Sequence, residues 1–368
     1  MRRRVARIRA GIREMRRRTS LSGRCEAQVV RKWVAAATPP VLPRHPLIDP
    51  STRVRACMTC QETPPPCPPG HPPAVLFVLG PTGIGKSRAA FEVARAVGGE
   101  IVVCDSRQVY DRLDIATNKP PAEDMRQVPY HLVGIADPRT TYTVFEFVDA
   151  ANRAIGEIAA RGRLPVVEGG SMLWADALAE GFSLAGVPPR PERRAELQAL
   201  PVAELAGIVR RLDPEAAVDE RNPVRLVRAI EVLEVAGPPL ARLRTRRPPP
   251  WRAVRVGLTA DLAVIDRGLA ERSRRQVERG LVEETRAALA EGVPPDAPVL
   301  TGIGYAEALA HIRGEVSLEE LPEVMARSNR RYARRQLRWL RRNPAIAWLD
   351  ATADPVRGIL DLLRAQTI

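Results

Sequence analysis

Residues Gly80, Pro81, Thr82, Gly83, Ile84, Gly85, Lys86 and Ser87 satisfy G-x-x-x-x-G-K-[ST] at every fixed position. The apolar run Ala74–Leu79 precedes them, with the length and β-branched content of a buried parallel strand. Ser87 to Val97 follows with Ala90, Phe91, Ala94 and Val97 at helical spacing. Strand, glycine loop and helix is the context in which this motif holds phosphate. The glycines let successive backbone N–H groups face one concavity, and the helix N-terminus adds partial positive charge. Lys86 supplies a mobile ammonium, and the Ser87 hydroxyl is an oxygen ligand for a divalent cation. A chain with this element folds as a P-loop NTPase-like α/β protein, a parallel sheet flanked by helices. The loop specifies a di- or triphosphate and not whose.

Glu100 to Cys104 reads as a second buried strand running into Asp105. Open α/β sheets place their chemistry beyond the carboxyl ends of such strands. Asp105 therefore has two functional readings, a carboxylate on the magnesium side or a base for an incoming nucleophile, and one structural reading, a cap on the next turn. Pro165 to Ser171 is a strand entering a glycine turn, with a helix from about Met172 to Glu180. His131, on an apolar stretch, reads as a hydrogen-bonded structural residue rather than a ligand.

Residues 188–250 lose the strand signal and show three short helices joined at Pro201, Pro214 and Pro223. This is a helical insertion between the first part of the core, 74–187, and the second, 251–368, where Ala253 to Leu258 returns as a strand. Within the second part, a helix over 317–342 opens on the capping box Ser317-Leu-Glu-Glu320. From Met325 to Arg342 it holds eight arginines and no acidic residue. At helical spacing Arg327, Arg330, Arg331, Arg334, Arg335, Arg338, Arg341 and Arg342 fall within an arc of about 140°. Arginines on one face with no acidic neighbours to pair them point to an anionic polymer, RNA or DNA.

The net charge of +14 adds little to that inference, because residues 1–73 carry +11 of it and the rest only +3. Twelve prolines between Pro39 and Pro73 leave no room for a packed core, so 1–73 is expected to be a disordered basic extension without catalytic importance. Cys57, Cys60, Cys67 and His71 have the arithmetic of a zinc set, but no secondary structure supports them and no zinc site is expected. No stretch is long and apolar enough to span a membrane or serve as a secretory signal. The sparse cysteines of the body fit a reduced compartment, so a cytoplasmic protein is expected, and a monomer.

Taken in order, GPTGIGKS, DSRQVY, LDIATNKP, VPYHL with DP, EGGSML, NPVRLVRAIEVLEVAG, TGIGYAEAL and RRYARRQLRWLRR resemble the tRNA dimethylallyltransferases from about residue 74 onward. The resemblance implies transfer of a dimethylallyl group from dimethylallyl diphosphate to N6 of the adenosine 3′ of the anticodon, with release of diphosphate. It implies the phosphate loop as diphosphate cradle, Mg²⁺ near Ser87, Asp105 as the base at N6, and Arg272 on the diphosphate. It also implies that Ser106, Arg107, Gln108 and Ser171 surround the target base. Arg225, Arg228 and the arginine helix, through Arg330, Arg334 and Arg335, would grip the anticodon stem-loop. Ser171 stands where the family usually has threonine, and Trp174 where tyrosine is usual. Two alternatives remain open: the adenylate isopentenyltransferases, acting on free AMP, ADP or ATP, which Asn118 and Glu168-Gly-Gly-Ser171 also resemble, and a P-loop kinase or phosphotransferase with Asp105 on magnesium.

Overall fold

Side chains alternate along β1 (Ala74–Leu79) between two separate apolar layers. Val75, Phe77 and Leu79 enter one layer, Leu76 and Val78 the other, as the two-residue period of a strand requires. Both faces are therefore buried, which is why the run is uniformly apolar in sequence. The structure, a computed structural model, describes residues 72–182, 187, 190–243 and 246–366. These belong to one unit formed by residues 61–368; most of the basic extension, with its cysteine and histidine set, lies outside the described residues.

Six parallel strands make the sheet: β1, β2 (Glu100–Val103), β3 (Tyr130–His131), β4 (Pro165–Gly169), β5 (Arg252–Thr259) and β6 (Ile346–Asp350). Their order across the sheet is β3-β2-β4-β1-β5-β6, with every neighbouring pair parallel. The expected α/β class and P-loop NTPase-like architecture are thus met. The chain leaves β1 through α1 (Lys86–Val97) and skips over β4 to build β2. That reversal opens a crevice beyond the carboxyl ends of β1, β2 and β4. β3 is only two residues long, on the sheet edge, where His131 bonds Glu100 at 2.7 Å.

On one face of the sheet lie α3 (Val144–Ala160), through Phe147, Ala151, Ile155 and Ile158, and α4 (Met172–Glu180), after α2 (Ala122–Gln127) has led into β3. Trp174 stacks on Phe147 with ring centroids 4.5 Å apart, so its departure from tyrosine is absorbed by the core. On the other face α1 packs with Ile265 and Leu269 of α9 (Leu262–Glu278). The chain then continues through α10 (Leu281–Ala290), α11 (Tyr305–Ile312), α12 (Leu321–Leu340) and, after β6, α13 (Pro355–Gln366).

Between α4 and β5 the chain makes α5 (Pro191–Gln198), α6 (Val202–Leu212), α7 (Pro223–Ala236) and the short α8 (Leu240–Leu243), which the sequence pattern does not signal. These helices carry an apolar cluster of their own, including Leu197, Leu205, Val209, Leu226, Ile230 and Leu233. Exit and return are adjacent, since Arg247 N–H donates to Gly181 O at 2.7 Å. Glycine is required there: a Cβ on Gly181 would lie 1.8 Å from the Arg247 carbonyl oxygen. Among the described residues no helix is long and apolar enough to cross a membrane.

Candidate active site

Three turns meet beyond the sheet. The first is the phosphate loop, in which α1 begins at Lys86 directly after Gly85, whose φ of 87° is left-handed. No side chain caps this helix start, so its first N–H groups remain for a ligand. The second turn carries Asp105 and the third Glu168 to Ser171. β2 and β4 hold these two turns together, and side chains fasten them further. Ser106 N–H donates to Ser171 Oγ at 2.9 Å, and the two hydroxyls lie 3.2 Å apart. Gly169 permits this approach, because a Cβ there would sit 2.0 Å from the Cys104 carbonyl oxygen.

Asp105 Oδ1 accepts from Arg107 N–H at 2.9 Å, so the turn-capping role is real. No described residue donates to its second oxygen, which leaves that atom for chemistry. The field of Asp105 reaches its neighbours. It raises the buried Cys104 thiol beyond what burial alone does and partly offsets the lowering of Arg272. Gln108 is buried, with Nε2 3.5 Å from Asn118 O and Oε1 without a partner. A buried amide oxygen left unpaired is an acceptor waiting for a donor.

Arg272 comes to this centre from α9, 190 residues beyond Thr82. It donates to Thr82 Oγ1 at 2.8 Å and to Asn329 Oδ1 at 2.9 Å, while its covered Nε has no partner. Burial lowers its pKa to about 10, with Asp105 opposing that fall, so the guanidinium stays charged at neutral pH. Because both its oxygen partners are neutral, its charge remains available to an anion.

Glu168 escaped the sequence reading as a site residue. It is 2% exposed, lies one residue before the end of β4, and its Oε2 accepts from the Ser87 hydroxyl at 3.2 Å. Burial raises its pKa; Lys86 opposes the rise and Asp105 adds to it. The rule that singled out Asp105, a carboxylate at the carboxyl end of a buried strand, applies equally here. Gln336, Asn329 and Tyr332 were also missed, since in sequence they fall on the core-facing side of an arginine-rich helix. Tyr332 donates to Gly170 O at 3.4 Å, and burial with the nearby Asp105 raises its pKa to about 12.

The arginine helix needs correction in two respects. It begins at Leu321, and the reciprocal Ser317–Glu320 bonds belong to the turn before it. Nor are all its arginines unpaired: Arg330 binds Glu323 at 2.5 Å and Arg334 binds Asp266 at 2.9 Å. Neither acid lies within Met325–Arg342: Glu323 sits in the first turn of α12, just before that stretch, whereas Asp266 is on α9, where no window along the helix could reveal it. Arg335 lies over the Tyr332 ring, 5.6 Å from its centroid. Arg225 is exposed on α7, whereas Arg228 turns toward its own domain, donating to Val187 O at 2.8 Å. No hydrogen bond or ion pair among the described residues joins either to the three turns.

Lys86, Ser87, Asp105, Ser171 and Arg272 are therefore one constellation, and the insertion arginines are apart from it. Comparison with known proteins shows the family. The family model described as IPP transferase matches residues 108–343. The tRNA dimethylallyltransferase of Thermomicrobium roseum is 44% identical over 284 residues, covering 76% of this chain and 86% of that protein. That of Geobacter metallireducens is 38% identical over 285 residues, covering 75% and 92%. The crystal structure of the full-length tRNA isopentenylpyrophosphate transferase of Bacillus halodurans superposes with a TM-score of 0.61 at 32% identity, covering 80% of this chain and 97% of that one. With the motif order, the strand order and these relatives in agreement, the chain belongs to the IPP transferase family.

Proposed function

We propose that this chain is an enzyme that transfers the dimethylallyl group of dimethylallyl diphosphate to N6 of the adenosine 3′ of the anticodon in tRNA. The observation that carries the reading is the meeting of Asp105, with one oxygen unengaged, and Arg272, with no carboxylate partner, across one phosphate loop. A base and an anion clamp are what a displacement at an allylic diphosphate needs. The N6 lone pair forms the new bond to the allylic carbon. The carbon–oxygen bond breaks with its electron pair leaving on diphosphate. The N6 proton passes to the second oxygen of Asp105. Lys86, Arg272 and the loop N–H groups hold the charge that builds on the leaving diphosphate. Ser106, Arg107, Gln108 and Ser171 would border the base, and the unpaired Gln108 Oε1 would accept from it. Such a base must leave its stack to reach Asp105.

The Ser87 hydroxyl and the Glu168 carboxylate, 3.2 Å apart, are hard oxygen donors of the kind Mg²⁺ takes. Among the described residues no cluster of three acidic, histidine or cysteine side chains could hold a metal alone, so phosphate oxygens and water would complete its shell. Held there, Mg²⁺ would supply neutralisation of the diphosphate charge. The arginine face of α12 and the exposed Arg225 would hold the stem-loop phosphates.

The deciding experiment offers labelled dimethylallyl diphosphate and Mg²⁺ to the protein with an unmodified anticodon stem-loop, and with AMP or ATP in parallel. Label on the RNA alone is expected. Label on the free nucleotide would make this an adenylate isopentenyltransferase, and ATP consumption without label would make it a phosphotransferase.

A further inference from the structure

The inward stripe of α12 is apolar except for two buried carboxamides, Asn329 at 6% exposure and Gln336 at 1%. They are seven residues apart, two turns along the same face. Neither is satisfied only within its own helix. Gln336 Oε1 accepts from Thr82 N–H at 2.8 Å, and its Nε2 donates to Gly170 O at 2.8 Å. Asn329 Oδ1 accepts from Arg272, and Arg272 donates to the hydroxyl of the same Thr82. The bonds close a ring running Thr82, Gln336, α12, Asn329, Arg272 and back to Thr82. Gly170 completes the fit: a Cβ there would lie 2.5 Å from Gln336 Nε2 and 3.6 Å from Lys86 Nζ.

We propose that Gln336, with Asn329 as its counterpart, is a positioning residue for the phosphate loop. One carboxamide holds the two turns on either side of Lys86. Its Oε1 fixes the orientation of the Thr82 amide at the tip of the loop, and hence the directions of the N–H groups that follow. Asn329 fixes Arg272, the cation expected on the same diphosphate. A glutamine serving stability alone would gain as much from any buried carbonyl. This one spends both polar ends on the anion-facing turns, across sequence separations of 254 and 166 residues. The inference rests on the reading that the loop holds the diphosphate of an allylic substrate.

The test compares Gln336→Met, near in volume and without the two bonds, and Asn329→Leu with the unaltered protein. Binding of inorganic diphosphate with Mg²⁺ is measured calorimetrically without RNA. Amide hydrogen exchange at Thr82, thermal unfolding, RNA affinity, and kcat and KM for dimethylallyl diphosphate are measured alongside. For Gln336→Met the expected result is faster exchange at Thr82, about tenfold weaker diphosphate binding and a similar rise in KM, with RNA affinity held within about twofold. Asn329→Leu should weaken diphosphate binding in the same direction through Arg272, and it decides the matter if the Met variant does not fold. Unchanged diphosphate affinity in folded variants overturns the proposal, as does an equal loss of diphosphate and RNA affinity. An unaltered protein that binds diphosphate but transfers no prenyl group would sink the proposed function and leave this assignment standing.

Discussion

The helical insertion and α12 are both rich in arginine, yet their arginines are used differently. In the insertion Arg190 and Arg193 bind Glu234, Arg194 binds Glu231, and Arg210 binds Glu220. The Glu231 carboxylate is fully buried and also accepts from Arg190 N–H at 3.1 Å, so it ties α5 to α7. Of the eight arginines on α12 and just past its end, only Arg330 and Arg334 have an acidic partner among the described residues. Arg327, Arg331, Arg335, Arg338, Arg341 and Arg342 are exposed without one. A paired arginine contributes to the shape of its own domain, and an unpaired one to the potential felt by a polyanion. Arginine count alone therefore does not locate an RNA surface.

The largest effect that bears on this comparison comes from the centre α12 overlooks. Asp105→Ala should lower kcat for prenyl transfer by about 10²–10⁴-fold while RNA affinity changes little. A lost RNA affinity with normal turnover of bound RNA would reject the base assignment. Arg272→Leu should weaken inorganic diphosphate binding by about 10–100-fold, because it removes a charged donor from an enclosed site. Retained affinity in calorimetry would show that the loop and Lys86 suffice.

On α12, replacing Arg331, Arg335 and Arg338 by Gln should weaken stem-loop binding and reduce the slope of log affinity against log salt by about 2–3. The matched change in the insertion, Arg193 and Arg210 to Gln, should move affinity by less than about twofold, since those charges are already paired. Equal slopes for the triple and the pair would erase the distinction between the regions. Arg225→Gln, at an exposed and unpaired position, should fall between them.

The smallest effect concerns the sheet edge, away from both regions. Glu100 is 2% exposed; burial raises its pKa, but the bonds from Arg161 and His131 outweigh that and hold it below the ordinary value of 4.5. A carboxylate with a lowered folded-state pKa stabilises above its unfolded pKa and loses that contribution as pH falls through the folded one. Thermal stability should thus decline below about pH 4.5, and less steeply in Glu100→Gln. Identical acid limbs would remove Glu100 from the account.

Much of the fold was legible because its signals are local. β1, the glycine loop and α1 each carry their pattern within a dozen residues, and three of the four insertion helices end within a residue or two of their proline and polarity boundaries. α8 was not, since four apolar-flanked residues carry too little periodicity. Asp105 could be found from its place after a strand. Glu168 obeyed the same rule yet was hidden by the glycines after it, which drew attention to the turn instead.

The sequence by itself determined the phosphate loop, the parallel α/β architecture, the family and the arginine stripe, because each is written in neighbouring residues or in a fixed helical period. Only the tertiary structure decided which arginines remain free, that Glu168 faces Ser87, and that Gln336 and Asn329 brace Thr82 and Arg272. Those facts depend on pairings 57 to 254 residues apart. The physical reason is that a buried polar group or a surface charge is defined by its partner, and the partner is chosen by packing rather than by the local chain.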